Sequence, residues 1–294
     1  MGILGIIGGS GLYDLPGLED VRRETIASPF GAPSDAITRG RLGDVDLAFL
    51  PRHGPGHRLS PGEVNYRANI DCLKRAGVTD ILSLSACGSL KENLAPGYFV
   101  LVDQFIDLTR HRPASFFGDG IVAHASMAAP TCARLRSLAA DSVAALDIPH
   151  RMGGTYVVIE GPQFSTKAES ALYRQWGADV IGMTNLPEAR LAREAEICYQ
   201  TIGMVTDYDC WHPDHAHVEV ADVIAHLTAN AATAKRLIAD IAPRWGGTRP
   251  EICQAGCDRI LDSAIVTPPA ARDPAAAARL DAVAGRVLAP QQGD

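Results

Sequence analysis

The stretch "VDLAFLPRHGPGHRLSPGEVNYRANIDCLKRAGVTDILSLSACGSL" (45–90) decides the fold. It opens with an apolar strand, and Ser60 followed by Glu63 forms a capping-box pattern that predicts the start of a helix. Gly77 ends that helix, and residues 80–90 are a second apolar strand running into a glycine turn. A strand, a helix and a strand at this spacing predict a unit with parallel strands.

The same alternation continues along the chain. Further helices are predicted at 167–176, 187–194 and 219–241, and strands at 178–184 and 197–207. This pattern predicts an α/β layered domain, about 1–267, with a mostly parallel buried sheet. The last segment, 268–294, is rich in Ala and Pro, and we expect it to be a mobile or weakly helical tail.

Composition excludes several classes of protein. The 294 residues are 47% apolar and 21% charged, as in an ordinary globular protein, and the net charge of −7 argues against a general binder of nucleic acid or membranes. The apolar N-terminus "MGILGIIGGSG" has no cationic region before it, so it predicts a first buried strand rather than a signal peptide. We therefore expect a cytoplasmic protein with reduced cysteines.

Two glycine-rich loops follow predicted strands. "GIIGGSGL" (5–12) lacks the lysine of a P-loop, but its backbone N–H groups and the Ser10 hydroxyl could form an anion nest. In "PRHGPGHRLSP" (51–61), Arg52 and His53 offer donors for a phosphate or carboxylate. A tight turn and an ordinary surface loop explain these stretches equally well, so neither decides the function alone.

Three more strand ends carry small or polar residues. "SLSACGSL" (83–90) supplies Ser85, "VIEGPQFST" (158–166) supplies Phe164 and Ser165, and "VIGMTNLPE" (180–188) supplies Met183 and Thr184. Packing would explain each stretch singly. Because ligands of α/β sheets bind beyond the carboxyl ends of the strands, five such loops together predict a binding site.

The stretch "MVTDYDCWHPDHAH" (204–217) concentrates ionisable groups after a strand. Asp207 and Asp209 suit an acid pair that reads a purine, whereas Cys210, His212, His215 and His217 could ligate zinc. A solvated polar loop is the third interpretation. The motifs of zinc proteases and zinc deaminases are absent, and Cys253 with Cys257 is only a weak metal or disulfide signal.

The set of motifs, taken in order, resembles the trimeric purine nucleoside phosphorylase family over roughly residues 3–245. The motifs are "IIGGSGL", "RHG", "VNYRANI", "ACGSL", "DQFID", "EGPQFST", "WGADVIGMT", "PEARLAREAEICY" and "TDYDCW". The resemblance implies a single-domain three-layer α/β/α fold with a central mixed, mostly parallel sheet. It also implies phosphorolysis of a nucleoside, and within the family it points to the branch that cleaves S-methyl-5′-thioadenosine into adenine and 5-methylthioribose 1-phosphate.

The resemblance also assigns roles to residues. It implies that phosphate is held by Ser10, Arg52, His53, Ser85, the Ala86 backbone and Thr184. It places the sugar against Met183 and the base near Phe164 and Ser165. It implies that Asp207 and Asp209 face N7 and the 6-amino group of adenine, and that burial beside Asp209 raises the pKa of Asp207 so that it acts as the acid. Further implied contacts are a methylthio pocket (Val220, Val223, Ile224) and neighbouring-subunit contacts (His124, Val266).

Asp207 and Asp209 favour adenine as the base, and Arg52, His53 and Thr184 favour phosphate as the nucleophile, but alternatives exist. Gly182 stands where related adenine-specific enzymes carry Asn, and Gly also occurs in relatives that prefer methylthioinosine, so a 6-oxopurine nucleoside is a second candidate substrate. Three further functions fit the same residues: a nucleosidase that uses water, a zinc-dependent purine hydrolase and a non-catalytic nucleotide sensor. The resemblance implies a homotrimer, or a dimer of trimers, that needs no cofactor or catalytic metal and uses inorganic phosphate as co-substrate.

Overall fold

A computed structural model describes residues 2–9, 12, 14–213, 220–247 and 253–289, except the side chains of 220–225 and 227. It contains one eleven-stranded sheet with helices on both faces. The strands are β1 Ile3–Gly8, β2 Glu19–Glu24, β3 Ile37–Leu42, β4 Val45–Pro51, β5 Val78–Ser89, β6 Phe99–Leu101, β7 Gln104–Asp107, β8 His150–Met152, β9 Thr155–Val158, β10 Val180–Gly182 and β11 Cys198–Asp207. The α-helices are α1 Tyr66–Arg75, α2 Ala133–Ala145, α3 Lys167–Gln175, α4 Asn185–Glu194, α5 Val220–Trp245, α6 Pro274–Arg279 and α7 Asp281–Leu288.

The sheet is mixed but mostly parallel, as the sequence predicts. Its main order is β2-β3-β4-β1-β5-β10-β9-β7, with β11 pairing along β5 and carrying β6 and β8 beyond it. The central strands β4, β1, β5 and β11 run parallel, whereas β10 is antiparallel to β5. The predicted three-layer α/β/α fold is confirmed.

Two apolar clusters fill the two faces of the sheet. One lies between the sheet and α1, α4 and α7, and includes Ile70, Leu191 and Val283. The other lies between the sheet and α2 and α5, and includes Leu135 and Leu237. β5 and β11 are buried along most of their length, so that even their polar residues, such as Ser83 and Thr201, lie in the interior.

The first predicted helix begins later than its capping box indicates, so that prediction is wrong. Ser60 and Glu63 do interact, since the Ser60 N–H donates to Glu63 Oε2 at 2.9 Å, but they close an isolated turn. The helix begins at Tyr66, where the side chain of Asn65 accepts from the Ala68 N–H at 3.1 Å. A capping box supplies local hydrogen bonds, and it does not force the chain behind it into a helix.

The described part of the predicted tail is helical and packs against the core. Leu280 and Val283, from α6 to α7, are each 2% exposed and belong to the cluster beneath α1. Ion pairs join Arg75 to Asp281 and Arg286 to the buried Glu196. These contacts make 268–289 part of the same core, which the Ala and Pro content did not indicate. No described helix combines the length and apolarity that crossing a membrane requires.

Candidate functional site

The predicted phosphate residues begin where β1 and β4 end side by side. Gly8 is paired with Pro51, and the Arg52 N–H donates to Gly8 O at 3.0 Å. This contact places Arg52 and His53 at the same edge of the sheet as the glycine loop. Ser10, the hydroxyl predicted from that loop, lies outside the described residues.

The Arg52 side chain is buried and engages protein groups. Its Nε and Nη2 donate to the two carboxylate oxygens of Glu188 at 2.8 and 3.0 Å, Nη2 also donates to Ser83 Oγ, and Nη1 donates to Leu84 O. The paired Glu188 raises the pKa of Arg52 even though burial opposes it. Four hydrogen bonds thus fix the guanidinium against Ser83 and Leu84 of β5, while its charge is balanced by a buried carboxylate.

Glu188 is the centre of a buried network that the sequence did not single out. Its Oε1 accepts from Ser83 Oγ at 2.6 Å and from the Tyr199 hydroxyl at 2.8 Å. The amide of Asn185 donates to Ser83 Oγ at 3.1 Å and to Tyr199 at 3.0 Å. This network fixes the start of α4, and therefore Thr184, against β5.

His53 is neutral near neutral pH. Burial, the adjacent Arg52 charge and His57, whose ring stacks at 4.1 Å, together lower the pKa of His53 to about 4. Its Nδ1 lies 2.8 Å from Leu59 O, and a carbonyl can only accept, so Nδ1 carries the hydrogen. The other ring nitrogen, Nε2, is therefore an acceptor, which differs from the donor role that the sequence suggests.

Ser85 and Thr184 come together although they are 99 residues apart in the chain. Their hydroxyl oxygens are 3.3 Å apart, and Ser85 Oγ is 3.2 Å from the Tyr156 hydroxyl. Ser85 and Ala86 lie inside β5 rather than at its end, and the antiparallel β10 brings Thr184 back alongside them. Two hydroxyls beside Arg52 form a pocket wall suited to an oxyanion.

Packing explains why residue 182 is a glycine, and this explanation bears on which purine base the site prefers. A Cβ at this position would lie 1.8 Å from the Tyr156 hydroxyl oxygen, so the tyrosine occupies the space of any side chain there. The hydroxyl that fills this space is the one that contacts Ser85. Glycine at 182 therefore reflects the presence of Tyr156 and carries no independent information about the purine.

The two predicted carboxylates lie at the end of β11, beside the same strand β5. Asp207 pairs with Gly88 across a register shift, its Oδ1 accepts from the Asp209 N–H at 2.8 Å, and its Oδ2 accepts from Thr206 Oγ1 at 2.7 Å. A Cβ on Gly88 would lie 2.9 Å from Asp207 Oδ1 and 3.4 Å from Asp209 Cβ. Gly88 thus leaves room for both carboxylates, three residues along β5 from Ser85.

Asp209, the partner of Asp207 in the pair, has a raised pKa. Asp209 is 4% exposed, and burial together with the Asp207 charge raises the pKa of Asp209 to about 6, against the opposing effect of the nearby Ser170 and Cys210. The desolvated carboxylate cannot recover in this pocket the hydration it would have in water. The pair therefore retains a proton closer to neutrality than an ordinary aspartate would.

The loop predicted to hold the base lies against the carboxylates. The Cys210 thiol donates to Ser165 O at 3.3 Å, which joins the aspartate loop to the loop after β9. Ser165 Oγ is buried and has no hydrogen-bond partner among the described residues, and the neighbouring Phe164 is 53% exposed. An exposed aromatic ring and an unpaired hydroxyl beside two carboxylates suit a planar polar ligand.

Arg112 is a positioning residue that the sequence analysis missed. Its side chain donates to the Met183 and Leu186 carbonyls at 2.6 and 3.0 Å, and its Nε donates to Glu160 Oε1 at 3.1 Å. It therefore ties the loop after β9 to the segment that carries Met183. Met183 itself lies against Gly161, where a Cβ would approach its Sδ to 2.5 Å.

The described part of the histidine loop does not gather metal ligands. His212 Nε2 contacts Glu92 Oε1 at 3.2 Å and its ring stacks on Tyr208, whereas Cys210 points toward Ser165. His215 and His217 lie outside the described residues. Among the residues that are described, Cys210 and His212 thus have separate partners, which argues against a zinc site formed by these two residues together.

The two predicted neighbouring-subunit segments pair with each other. The His124 N–H donates to Ala264 O at 2.8 Å, and the Val266 N–H donates to Val122 O at 3.0 Å. Val266 is 57% exposed in the single chain, and His124 is also exposed. The predicted methylthio residues Val220, Val223 and Ile224 belong to the first turns of α5, and their side chains lie outside the described part.

Comparison with known proteins gives a family over most of the chain. Residues 3–243 match the family model described as "Phosphorylase superfamily". A Bradyrhizobium diazoefficiens protein named S-methyl-5′-thioadenosine phosphorylase is 60% identical over 286 residues, covering 97% of this chain and 98% of the relative. A Cereibacter sphaeroides protein of the same name is 58% identical over 97% of this chain and 98% of the relative.

Solved structures agree with these sequence relatives. A methylthioadenosine phosphorylase from an antarctic soil metagenomic library superposes with a TM-score of 0.91 at 47% identity, covering 96% of this chain and 98% of that one. A Schistosoma mansoni methylthioadenosine phosphorylase in complex with adenine gives a TM-score of 0.84 at 34% identity, over 93% and 99% of the two chains.

Proposed function

The chain belongs to the phosphorylase superfamily, and we propose that it is a pentosyltransferase that cleaves S-methyl-5′-thioadenosine with inorganic phosphate. The products are adenine and 5-methylthioribose 1-phosphate. The observation that carries the proposal is the arrangement along β5, where Ser85 faces Thr184 and Gly88 faces Asp207 and Asp209. The names of relatives that are 58% and 60% identical over almost their whole length support the same substrate.

The phosphate end supplies the nucleophile. Ser10, Ser85, Thr184 and the Ala86 backbone hold the phosphate, and the fixed guanidinium of Arg52 adds positive potential from behind Ser85. Neutral His53 accepts a hydrogen bond from a protonated phosphate oxygen through Nε2, which orients the phosphate while the proton stays on it. A phosphate oxygen then forms its bond to C1′ as the bond from C1′ to N9 breaks.

The base end receives the electrons of the broken bond. The leaving purine becomes anionic, and a proton delivered to N7 neutralises it. Asp207 and Asp209 supply this proton as a pair, because the pKa of Asp209 is raised to about 6. The unprotonated carboxylate oxygens of Asp207 and Asp209 accept hydrogen bonds from the 6-amino group of adenine. Phe164 and Ser165 cover the base.

The sugar lies between these two ends. Met183 packs against the ribose, and Val220, Val223 and Ile224 line an apolar pocket for the methylthio group. An apolar lining leaves a 5′-hydroxyl without a partner, which disfavours adenosine. His124 and Val266, whose segments pair at the surface, reach a neighbouring subunit's site in a homotrimer or a dimer of trimers.

Adenine is the base that this site favours over a 6-oxopurine. Carboxylates accept from an amino group, whereas they would repel the 6-oxo group of hypoxanthine. Gly182, which left the base open from the sequence, is explained by the Tyr156 hydroxyl. We propose that the reaction needs no cofactor, that the partners are the nucleoside and phosphate rather than nucleic acid or membrane, and that the enzyme works in the cytoplasm.

The test follows free base from methylthioadenosine and methylthioinosine, with and without phosphate. We expect phosphate-dependent release of adenine and poor release of hypoxanthine. Asp207→Asn and Asp209→Asn should each lower adenine release by roughly 100-fold or more, as expected for loss of general acid catalysis. The exposed Asp46→Asn variant is the matched control. Preference for methylthioinosine would overturn the base assignment, and cleavage that ignores phosphate would indicate a nucleosidase.

A further inference from the structure

Four cysteines from three separate parts of the chain meet in the interior. Within the described ranges, the one group of at least three His, Cys, Asp or Glu side chains close enough to share a metal ion consists of Cys132, Cys198, Cys253 and Cys257. All four residues are buried, and their Sγ atoms lie within 4.8 Å of one another. The Sγ of Cys253 is 3.6 Å from that of Cys198 and 3.8 Å from that of Cys132.

These separations match the edges of a tetrahedral metal site. A zinc ion with Zn–S bonds of about 2.3 Å holds its four sulfur atoms about 3.8 Å from one another. Disulfides need a sulfur separation of about 2.05 Å and join cysteines in pairs, whereas here one sulfur is at similar distances from two others. Four soft ligands in this arrangement select zinc among the common divalent ions.

Two arginines lie beside the sulfur atoms. Arg193 Nη1 donates to Cys257 Sγ at 3.4 Å, and the Arg134 guanidinium, which also pairs with the buried Asp80, interacts with Cys198. Four thiolates around Zn²⁺ carry a net charge of about −2, and the two guanidinium groups offset part of it.

The position of the cluster indicates a structural rather than a catalytic role. Cys132 is the N-cap of α2, Cys198 is the first residue of β11, and Cys253 with Cys257 follows α5. Asp207 ends the same strand nine residues later, about 30 Å away at the rise of a strand. A cavity of about 530 Å³ is lined by Ala133, Arg134 and Ala255, which are close in the chain to Cys132, Cys253 and Cys257.

We propose that Cys132, Cys198, Cys253 and Cys257 form a closed tetrahedral zinc site that fastens the segment after α5 to the sheet and to α2. The inference is independent of the proposed reaction. It also explains why buried thiols from three separate parts of the chain face one point, with Arg193 donating to one of them.

The test measures metal in the whole protein, expressed with zinc and desalted in the presence of a chelator. Elemental analysis should find one zinc ion per chain, and thiol titration with a mercurial should release it. Cys257→Ser should lower bound zinc at least about tenfold, whereas Cys72→Ser, which alters a buried cysteine outside the cluster, should leave it unchanged.

A second measurement does not depend on whether a variant folds. Wild-type protein reconstituted with Co²⁺ should show the visible absorption of a tetrahedral cobalt thiolate. Absence of stoichiometric zinc in the wild type would overturn the proposal, as would iron in its place. Two disulfides found by mass spectrometry in the freshly purified chain would also overturn it.

Discussion

Replacing Asp209 by Asn should make the protein more stable and at the same time less active. The wild-type carboxyl is 4% exposed, and its pKa is raised from 3.8 to about 6, chiefly by burial and then by the charge of Asp207. Asn keeps the shape and a carbonyl oxygen that accepts from the Cys210 N–H, but it has no charge to desolvate. The variant therefore escapes the penalty that ionisation imposes on the folded wild type.

The size of the effect follows from linkage. A pKa that is higher in the folded state than in the unfolded state costs stability once the group ionises, so the wild type loses stability as the pH rises from about 4 through about 6. At 1.36 kcal/mol for each pH unit, the rise from 3.8 to about 6 corresponds to about 3 kcal/mol. Below pH 4 both proteins carry a neutral side chain, and the difference should vanish.

The assay is urea unfolding of the wild type and Asp209→Asn at several pH values from 4 to 8, with adenine release measured on the same samples. The free energy of unfolding of the variant should exceed that of the wild type by about 3 kcal/mol at pH 8 and by little at pH 4. Asp46→Asn, at an exposed position, should show no such trend. A difference that is flat with pH would refute the argument that desolvation raises this pKa.

Three other changes test the remaining parts of the site. Gly88→Ala should displace Asp207 and lower adenine release at least about tenfold with the fold retained by circular dichroism, because its Cβ would lie 2.9 Å from Oδ1; full activity would contradict this. His53→Gln should raise KM for phosphate about tenfold. Because the pKa of His53 is about 4, the KM of the variant and that of the wild type should change with pH in the same way. A break near pH 6.5 in the wild type alone would show that the His53 imidazole titrates there. Glu188→Gln should destabilise the protein by about 3 kcal/mol or more in urea, because it leaves Arg52 buried with an unpaired charge. An unchanged midpoint of urea unfolding would show that the ion pair between Arg52 and Glu188 contributes little stability.

Features that depend on local sequence were predictable. The strand and helix pattern around 45–90 indicated the layered fold, and the site loops stood out because polar or small residues directly follow apolar strands. Asp207 and Asp209 were found in this way. The boundary of the first helix was not, because Ser60 and Glu63 close an isolated turn, in which Glu63 Oε2 accepts from both the Ser60 N–H and the Ser60 hydroxyl.

Features that depend on distant parts of the chain were not predictable from one sequence. Glu188 looks like an ordinary helix residue until the fold places it against Arg52, 136 residues away. The raised pKa of Asp209 depends on burial, which spacing does not reveal. The cysteine cluster needs α2, β11 and the segment after α5 to be assembled, so Cys253 and Cys257 alone gave only a weak signal.

The single strand β5 has a consequence for how this protein can change. The hydroxyl that contacts Thr184 and the glycine that faces the carboxylates are three residues apart on one rigid backbone, about 10 Å at the rise of a strand. Point substitutions can alter which chemical group the site binds near Ser85 or near Gly88, but they cannot alter the distance between these two positions. A change of purine or of 5′-substituent is therefore within reach of single mutations, whereas a longer spacer between base and nucleophile would require an inserted residue and a new register with β11.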